Sequence, residues 1–454
     1  MKATVLLEAL FDDGSFRSWD SAPESVVTGE GSLCGRRVAV AAGEFSFQGG
    51  SIGVAAGERL TACAERATRE RLPLLVAPAS GGTRMQEGTI AFLQMVKITA
   101  AVTAHKDAGL PYLVYLRHPT TGGVFASWAS LGQVTLAEPG ALIGFLGPRV
   151  YEALEGRPFP PGVQTAETLR DRGLVDAVIP VGELPVHLDR ILTALTPEPA
   201  PVTTKNIFPP NAPQSSPAWE SVSRTRAPGR PGAREFLEAS VRDLVPLVEG
   251  EGELILALGR VAGRPCVFAA QDHAGPQTVG ALRLARRGMA LATELRIPLV
   301  TVIDTPGAEL SPEAETRGIA HEIAQCMAEL TSLPVPTVSV LLGQGTGGAA
   351  LALFPADRVV AAGHAWLAPL APEGASAIVY KDTAHAPELA ERQGIRAADL
   401  AAAGAVDRVV PENGEPGDLC RDLGHALSAE LTELAHDDDP TRLANRLRRY
   451  RDLG

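Results

Sequence analysis

Two segments of this chain repeat each other at a fixed spacing. Residues 111–116, Pro-Tyr-Leu-Val-Tyr-Leu, run up to Thr-Gly-Gly at 121–123, and residues 336–341, Pro-Thr-Val-Ser-Val-Leu, run up to Thr-Gly-Gly at 346–348. The spacing between the copies is 225 residues (336 − 111 = 225). A repeat this long is far larger than a solenoid unit, so it predicts two whole domains that share one fold.

Two further pairs of segments support the duplication. Residues 72–76 match residues 297–301 at the same spacing of 225, and residues 173–180 match residues 404–411 at a spacing of 231. Between these segments, short β-branched runs alternate with Ala-rich stretches such as 281–296, which is typical of strands alternating with helices. We therefore predict an α/β fold with mainly parallel strands in each copy.

A proline-rich stretch separates the two copies. Nine prolines lie between residues 196 and 234, and proline removes backbone donors and blocks regular elements. We predict a linker over residues 197–234, an N-terminal domain over 1–196 and a C-terminal domain over 235–454. The arginine-rich tail at 443–453 is predicted to be a helix whose charged side chains face solvent.

The composition narrows the classes of function. A net charge of −12 argues against a dedicated nucleic-acid binder, because phosphate is repelled outside local basic patches. No apolar run approaches the ~18 residues of a membrane span, and the first residues do not fit a signal peptide, so we expect a cytoplasmic protein without membrane association. The five cysteines lie far apart without a C-x-x-C pair, so neither a disulfide framework nor a zinc ribbon is predicted, and no metal is expected.

The two Thr-Gly-Gly sites are where we expect chemistry. Each follows an apolar strand and precedes an Ala-rich segment, at 124–133 and 349–353, that is predicted to be helical. Glycines let a substrate approach the main chain, and a helix start presents unpaired N–H donors. Such donors stabilise a carbonyl oxygen that becomes negative in a transition state. Glycine pairs also serve tight packing alone, but the repetition of one device in two copies favours the functional interpretation.

Two other motifs are weaker. Residues 343–348 fit G-x-G-x-x-G, but the acidic residue that a dinucleotide site needs about 20 residues later is missing around 366–369. Residues 49–53 fit the G-x-S-x-G nucleophile elbow, but no acid and histidine stand out downstream to complete a triad. What remains is a site with backbone donors and no obvious nucleophile or metal, which suits the stabilisation of an enolate.

These residues resemble the carboxyltransferase of biotin-dependent acyl-CoA carboxylases, a branch of the crotonase superfamily, with the bacterial acetyl-CoA carboxylase β and α chains fused. The resemblance covers about residues 5–185 and 218–412. The segments that carry it are Phe-Gln-Gly-Gly-Ser-Ile-Gly at 47–53, Ser-Gly-Gly-Thr-Arg-Met-Gln-Glu-Gly at 80–88, Pro-Thr-Thr-Gly-Gly-Val at 119–124, 137–145, 147–150, Ile-Asp-Thr-Pro-Gly-Ala at 303–308, 343–351, Pro-Glu-Gly at 372–374 and Tyr-Lys-Asp at 380–382. It implies two tandem crotonase-like domains.

The resemblance also implies roles for the glycine pairs. Gly122 and Gly123 are expected to hold the enolate oxygen of the acyl-CoA, and Gly347 and Gly348 the ureido oxygen of biotin. Further residues of the matching motifs are expected to bind coenzyme A or biotin: Gly81, Gly82, Arg84, Thr346 and Ala349.

The implied reaction moves a carboxyl group from carboxybiotin, borne on a carrier protein, to the α-carbon of an acyl-CoA. Acetyl-CoA giving malonyl-CoA is the expected reaction, and propionyl-CoA is a second candidate substrate. The chain has no M-K-M biotinylation site, so biotin carboxylase and the biotin carboxyl carrier protein are expected as separate partners. In this family the site forms between the first half of one subunit and the second half of another, which implies a homodimer.

Three departures from the family pattern leave alternatives open. The four-cysteine zinc ribbon of the β chain is missing, the loop between residues 271 and 283 is shortened, and residues 309–313 differ from the family's Tyr-Pro-Gly. The alternatives are a biotin-dependent decarboxylase subunit that acts on a malonyl-type thioester and a catalytically silent assembly subunit. Intact glycine pairs in both halves argue against the silent subunit.

Overall fold

The computed structural model contains two compact α/β units, Met1–Leu192 and Thr193–Gly454, and confirms the predicted fold class. The structure describes residues 2–199, 216–249, 254–412, 414, 416–436 and 438–453.

A mostly parallel sheet forms the centre of the first unit. Its strands are β1 (Arg17–Ser18), β2 (Val26–Leu33), β3 (Arg36–Gly43), β4 (Leu74–Ala77), β5 (Tyr112–Leu116), β6 (Thr120–Thr121), β7 (Val134–Ala137), β8 (Ile143–Gly144) and β9 (Ala177–Val178). Seven of them form one sheet in the order β1-β2-β3-β4-β5-β7-β9, while β6 pairs with β8. The β1-β2-β3 edge is antiparallel and every later pairing is parallel.

Helices cover this sheet. They are α1 (Ala3–Leu10), α2 (Val54–Arg69), α3 (Gly88–Asp107), α4 (Gly122–Phe125), α5 (Pro148–Glu155), α6 (Ala166–Asp171) and α7 (Leu184–Ala194), with 3-10 turns at Gln48–Gly50, Met85–Glu87 and Trp128–Ser130. In α2, Leu60, Ala64 and Ala67 are buried at helical spacing, so one apolar face packs into the core with residues of β4 and β5.

The second unit repeats this sheet with one more strand. Its strands are β10 (Arg242–Glu249), β11 (Leu254–Val261), β12 (Arg264–Gln271), β13 (Leu299–Thr305), β14 (Thr337–Thr346), β15 (Arg358–Ala362), β16 (Trp366–Ala368) and β17 (Arg408–Val410). The order is β10-β11-β12-β13-β14-β15-β17, and β16 pairs with β14. The β10-β11-β12 edge is antiparallel and the other pairings are parallel.

Strand register confirms the duplication residue by residue. Leu74 pairs with Tyr112 in the first unit, and Leu299 pairs with Thr337 in the second, each 225 positions later. The predicted repeat therefore corresponds to one strand pairing formed twice.

The helices of the second unit complete the layers. They are α8 (Ala218–Thr225), α9 (Ala233–Ser240), α10 (Val279–Leu295), α11 (Pro312–Thr316), α12 (Ile319–Ser332), α13 (Gly347–Leu351), α14 (Pro372–Val379), α15 (Ala386–Gln393), α16 (Ala397–Ala402), α17 (Pro416–Leu434) and α18 (Asp439–Arg451). Within the described ranges, no helix combines the length and the apolar character needed to cross a lipid bilayer.

The predicted linker is not irregular throughout. Residues 200–215 of this stretch lie outside the described residues, but α8 is a helix within it. Val222 and Ala218 of α8 are fully buried and pack with Trp366, and the Trp366 indole Nε1 donates to Thr225 Oγ1 at 2.8 Å. The prolines of this stretch therefore lie between short helices and do not prevent them from forming.

The tail forms the predicted helix, but the predicted solvated charge is wrong for part of it. Arg446 of α18 is 1% exposed and donates from Nη2 to Asp357 Oδ2 at 2.7 Å. Arg442, one turn earlier, donates to the same oxygen at 3.2 Å. The buried carboxylate of Asp357 requires cationic partners, and the tail helix supplies them.

Candidate active site

The first predicted glycine pair lies at a strand-to-helix turn, between β6 and α4. Gly122 has φ +65°, in the left-handed region that glycine adopts without strain. Its N–H donates to the Phe145 carbonyl at 3.1 Å, so this donor is already used. Gly123 follows in the first turn of α4, where N–H groups have no partner within the helix. The available donor is therefore at Gly123.

The helical segments after both pairs are shorter than predicted. α4 ends at Phe125 and α13 ends at Leu351. In the first half, Ser127 Oγ donates to the Gly123 carbonyl at 2.5 Å, a side-chain bond that competes with helix continuation.

A second glycine turn lies directly against the first. Gly82 has φ +111°, and a Cβ built on it would lie 3.6 Å from the Thr121 carbonyl oxygen and 3.9 Å from the Gly123 nitrogen. The predicted residues Gly81, Gly82, Gly122 and Gly123 therefore come together, and we call them the first-half glycine site. The amides of Gly81 and Gly82 are used internally, donating to Gly49 O at 3.0 Å and to Ser80 Oγ at 3.0 Å.

The second half repeats this arrangement. Gly347, with φ +63°, starts α13 directly after β14, and Gly348 follows in the first helical turn. Gly307, with φ +133°, lies against this turn, because a Cβ on it would be 3.5 Å from Thr346 Cγ2. We call Gly307, Gly347 and Gly348 the second-half glycine site. Sequence reasoning missed Gly307, although it stands 225 residues after Gly82.

The hydrogen bonds of the two turns match one for one. Gly82 N donates to Ser80 Oγ at 3.0 Å, and Gly307 N donates to Thr305 Oγ1 at 3.1 Å. The Gly82 carbonyl accepts from Ile52 N at 2.9 Å. In the second half the Gly307 carbonyl accepts from Gln277 N at 2.8 Å.

Two of the predicted second-half residues contribute buried polar surroundings. Thr346 is buried, and its Oγ1 has no hydrogen-bond partner among the described residues. Ala349 is fully buried, and its carbonyl accepts from Gln271 Nε2 at 2.8 Å. The Gln271 Oε1 atom likewise has no partner in the described part of the chain. Two orphaned polar atoms beside the glycine turn fit a ligand with hydrogen-bonding groups.

Arg84 lies apart from any open surface. It is 5% exposed, and its guanidinium bonds the Glu24 carboxylate, Glu87 Oε1 at 3.0 Å and the Ser51 carbonyl at 2.9 Å. We call Arg84, Glu24, Ser25, Ser51 and Glu87 the Arg84 network. Arg84 is therefore a buried ion-paired residue beside the predicted site.

The charges of this network are mutually stabilised. Burial opposes the ionisation of Glu24, but hydrogen bonds from Arg84 and Ser25 outweigh it and hold the pKa of Glu24 below its ordinary value. The Val54 backbone N–H is the largest influence on Glu87 and lowers its pKa, burial opposes this, and Arg84 adds to the lowering. The two carboxylates raise the pKa of Arg84. All three groups are charged at neutral pH.

The competing motifs do not form the sites they resemble. Gly343 and Gly345 lie inside β14, so they are extended strand residues and not a phosphate-binding turn. Ser51 Oγ of the nucleophile-elbow motif donates to the Gln48 carbonyl at 2.8 Å in a 3-10 turn. Within the described ranges, no cluster of three or more His, Cys, Asp or Glu side chains could hold a metal ion.

The geometry offers main-chain donors at two helix starts, each faced by a second glycine. Such a site binds and stabilises an oxygen that gains negative charge, and its glycines leave room for a substrate against the backbone.

A family model described as Carboxyl transferase domain matches residues 9–415 of the chain. The chain is 56% identical over 487 aligned residues to the probable biotin-dependent acyl-coenzyme A carboxylase beta3 subunit of Mycobacterium tuberculosis (strain ATCC 25618 / H37Rv), covering 99% of this chain and 98% of that one. It is 37% identical to the acetyl-coenzyme A carboxylase carboxyl transferase subunits beta/alpha of Salinispora arenicola (strain CNS-205), covering 96% of this chain and 83% of that one.

Solved structures share the fold. The crystal structure of transcarboxylase 12S, described as a hexamer assembly with methylmalonyl-coenzyme A and methylmalonic acid bound, has a TM-score of 0.80 at 22% identity. The alignment covers 96% of this chain and 89% of that one. A single-chain, multi-domain long-chain acyl-CoA carboxylase has a TM-score of 0.74 at 20% identity, covering 94% of this chain and 45% of that one.

Proposed function

Because this chain belongs to the carboxyltransferase family of biotin-dependent acyl-CoA carboxylases, we propose that it transfers a carboxyl group to the α-carbon of acetyl-CoA and forms malonyl-CoA. The relatives named acetyl-coenzyme A carboxylase carboxyl transferase, with the β and α parts in one chain as here, support this choice of acyl group. Propionyl-CoA is the second candidate.

The observation that carries the proposal is the pair of glycine sites. We assign the thioester oxygen, which becomes negative in the enolate, to the N–H of Gly123. Gly122 shapes the turn, since its own N–H is bonded to Phe145. A preorganised N–H donor at such an oxygen contributes about 10²–10³-fold to kcat.

The second-half glycine site is assigned to biotin. Carboxybiotin, held on its carrier protein, supplies the carboxyl group and a ureido group that can accept the α-proton. We assign the ureido oxygen to the N–H of Gly348, with Gly347 setting the turn. The orphaned Thr346 Oγ1 and Gln271 Oε1 atoms support a polar ligand at this position.

A second copy of the chain is proposed to complete each site. The face of α3 and of the preceding turn is apolar and exposed, with Met85 81% and Val96 67% exposed. Helix α3 lies against the first-half glycine site through its opposite, buried face, because a Cβ at Gly123 would lie 3.6 Å from the buried Met95. Exposed apolar side chains grouped on one helix favour protein association. We propose a pair of chains, the predicted homodimer, as the unit that forms two complete sites, each with one half from either chain.

The proposal is tested by reconstitution. Purified chain is mixed with a biotin carboxylase, a biotinylated carrier protein, ATP and bicarbonate, and carboxylation of acetyl-, propionyl- and butyryl-CoA is followed. We expect malonyl-CoA as the main product, and no product with a carrier that lacks biotin. Preference for another acyl group would correct the substrate. Loss of carbon dioxide from malonyl-type thioesters, without carboxylation of any acyl-CoA, would replace the proposal with the decarboxylase alternative.

A further inference from the structure

We propose that Arg84 is a positioning residue, which holds the Gly81–Gly82 turn against the helix start at Gly122–Gly123, and that it does not bind coenzyme A. The proposal rests on the proposed function of the first-half glycine site. It replaces the role that the family resemblance implied for Arg84.

The side chain has no bonding capacity left for a ligand. Its guanidinium donates to the carboxylates of Glu24 and Glu87 and to the Ser51 carbonyl. Two further bonds reach Ser25 Oγ at 3.2 Å and Ser51 Oγ at 3.3 Å. A phosphate group of coenzyme A would have to displace these partners and would bring a third negative charge next to two carboxylates.

The backbone links Arg84 to the glycine turn directly. Arg84 N donates to the Ile52 carbonyl at 2.9 Å, and Ile52 N donates to the Gly82 carbonyl at 2.9 Å. Anchoring Arg84 therefore fixes a short parallel bridge that contains Gly82. A Cβ built on Gly82 would lie 3.9 Å from the Gly123 nitrogen. A shift of this bridge would therefore change the space beside the proposed oxyanion donor.

The network also fixes the start of α2. Glu87 accepts from Val54 N at 2.6 Å, and a Cβ at Gly53 would collide with the Glu87 carboxylate. The carboxylate thus lies at the positive end of a 16-residue helix, where a negative charge is stabilised. One guanidinium therefore joins the segment before β2, the N-terminus of α2 and the glycine turn.

The second half shows that the turn itself does not need an arginine. The residue 225 positions after Arg84 is Glu309, whose N–H donates to the Gln277 carbonyl at 2.9 Å in the same bridge. Its carboxylate accepts from Ser311 Oγ at 2.6 Å. The arginine is therefore an addition specific to the half that is assigned to the acyl thioester.

Two substrates separate positioning from coenzyme A binding. Arg84→Met, Arg84→Lys and wild-type chains are assayed with acetyl-CoA and with acetyl-N-acetylcysteamine, a thioester without the nucleotide and its phosphates. We expect Arg84→Met to lower kcat about a hundredfold on both thioesters while KM changes little, as for an oxyanion site displaced by about 1 Å. Arg84→Lys should recover part of kcat. A rise in KM for acetyl-CoA alone, or an unchanged kcat, would overturn the proposal.

Arg260→Met is the matched control. Arg260 of β11 is 6% exposed and also pairs with two carboxylates, Asp243 of β10 and Glu198. We expect a comparable loss of melting temperature in both Met variants. The kcat of Arg260→Met should stay within about twofold of wild type, since Arg260 pairs with Asp243 and Glu198 and not with residues of the glycine sites.

Hydrogen exchange tests the proposal independently of activity. In Arg84→Met, amides of residues 80–84 and 122–127 should exchange at least about tenfold faster than in wild type and in Arg260→Met, because local opening is easier. Unchanged exchange in both segments would overturn the proposal even if the chain proved inactive toward every acyl thioester. If Arg84→Met does not fold, Arg84→Lys and Glu87→Gln carry the same comparison, with smaller expected changes in the same direction.

Discussion

In the first half the residue two positions after the turn glycine is Arg84, and in the second half the residue at the same place is Glu309. The backbone bridge is the same in both halves: Arg84 N donates to the Ile52 carbonyl at 2.9 Å, and Glu309 N donates to the Gln277 carbonyl at 2.9 Å. At this position of the repeat, the first half has a buried guanidinium paired with two carboxylates, whereas the second half has Glu309. Main-chain geometry has thus been kept in both copies while the surrounding side chains have diverged.

A second contrast concerns the start of β5 and of β14. Tyr112 N donates to the neutral Gln133 side chain at 2.9 Å, whereas Thr337 N donates to the Asp357 carboxylate at 2.8 Å. The charge in the second half is neutralised by Arg442 and Arg446 of the tail helix. Both halves therefore have a side chain that accepts from the first N–H of the strand, but this side chain is neutral in the first half and charged in the second.

The largest expected effect comes from filling the glycine sites. Gly123→Val and Gly348→Val should each lower turnover about a thousandfold, because the added side chain presses on Thr83 and Met95 in the first half, or on Ile323 in the second, and displaces the N–H donor. A Cβ at Gly123 makes only ordinary contacts, the nearest at 3.5 Å to Thr83 Oγ1, so the variant should stay folded. Turnover and circular dichroism are measured together.

Gly182→Val is the control for this pair, because a Cβ at Gly182 meets no atom within 4 Å. It should keep wild-type turnover. Full activity in Gly123→Val or in Gly348→Val would refute the assignment of oxyanion binding to that half.

The next effect is on stability. Asp357→Asn should lower the free energy of unfolding by about 3–5 kcal/mol, because two buried arginines lose their anionic partner. Asp439→Asn is the control: the Asp439 side chain is 76% exposed, although it also bonds Arg442 at 2.6 Å. It should cost at most about 1 kcal/mol in the same urea denaturation experiment. Equal losses of unfolding free energy in the two variants would show that the buried Asp357 carboxylate stabilises the fold no more than the exposed Asp439 carboxylate does.

The smallest expected effect is a difference between the two halves in how melting temperature depends on pH. The pKa values of Glu24 and Glu87 are held low, so the Arg84 network is fully present above the ordinary Glu pKa of about 4.3 and is lost as the pH falls through the lower folded values. The difference in melting temperature between wild type and Arg84→Met should therefore shrink on acidification below about pH 4.

The contribution of His273, in the second half, to stability changes with pH in the opposite direction. The Asp304 carboxylate, 3.4 Å away, raises the pKa of His273 against the effect of burial. The ion pair of His273 contributes fully to the free energy of unfolding below the ordinary His pKa of about 6.5. This contribution is lost as the pH rises through the higher pKa that His273 has in the folded state. The difference in melting temperature between wild type and His273→Asn should shrink on the alkaline side. A shift on the same side as for Arg84→Met would contradict this contrast.

The sequence was sufficient for the features that depend on backbone conformation. The register of 225, the α/β class and the glycine turns at Gly122 and Gly347 follow from glycine and strand patterns, which are local. Gly307 was within reach, since the register maps it onto Gly82. Whether a charged side chain is buried was not predictable, because its partners are distant in sequence: Arg84 meets Glu24 from 60 positions away, and Arg446 meets Asp357 from 89 positions away.

Co-expression of Gly123→Val and Gly348→Val chains tests the central claim most directly. The claim is that a complete site takes its first-half glycine site from one copy and its second-half glycine site from another. In a mixed pair, one of the two sites then combines two intact glycine sites, so random pairing should restore about a quarter of wild-type turnover. If the co-expressed chains remain as inactive as each variant alone while mixed pairs are recovered by differential tags, the site does not form between copies and the account is wrong.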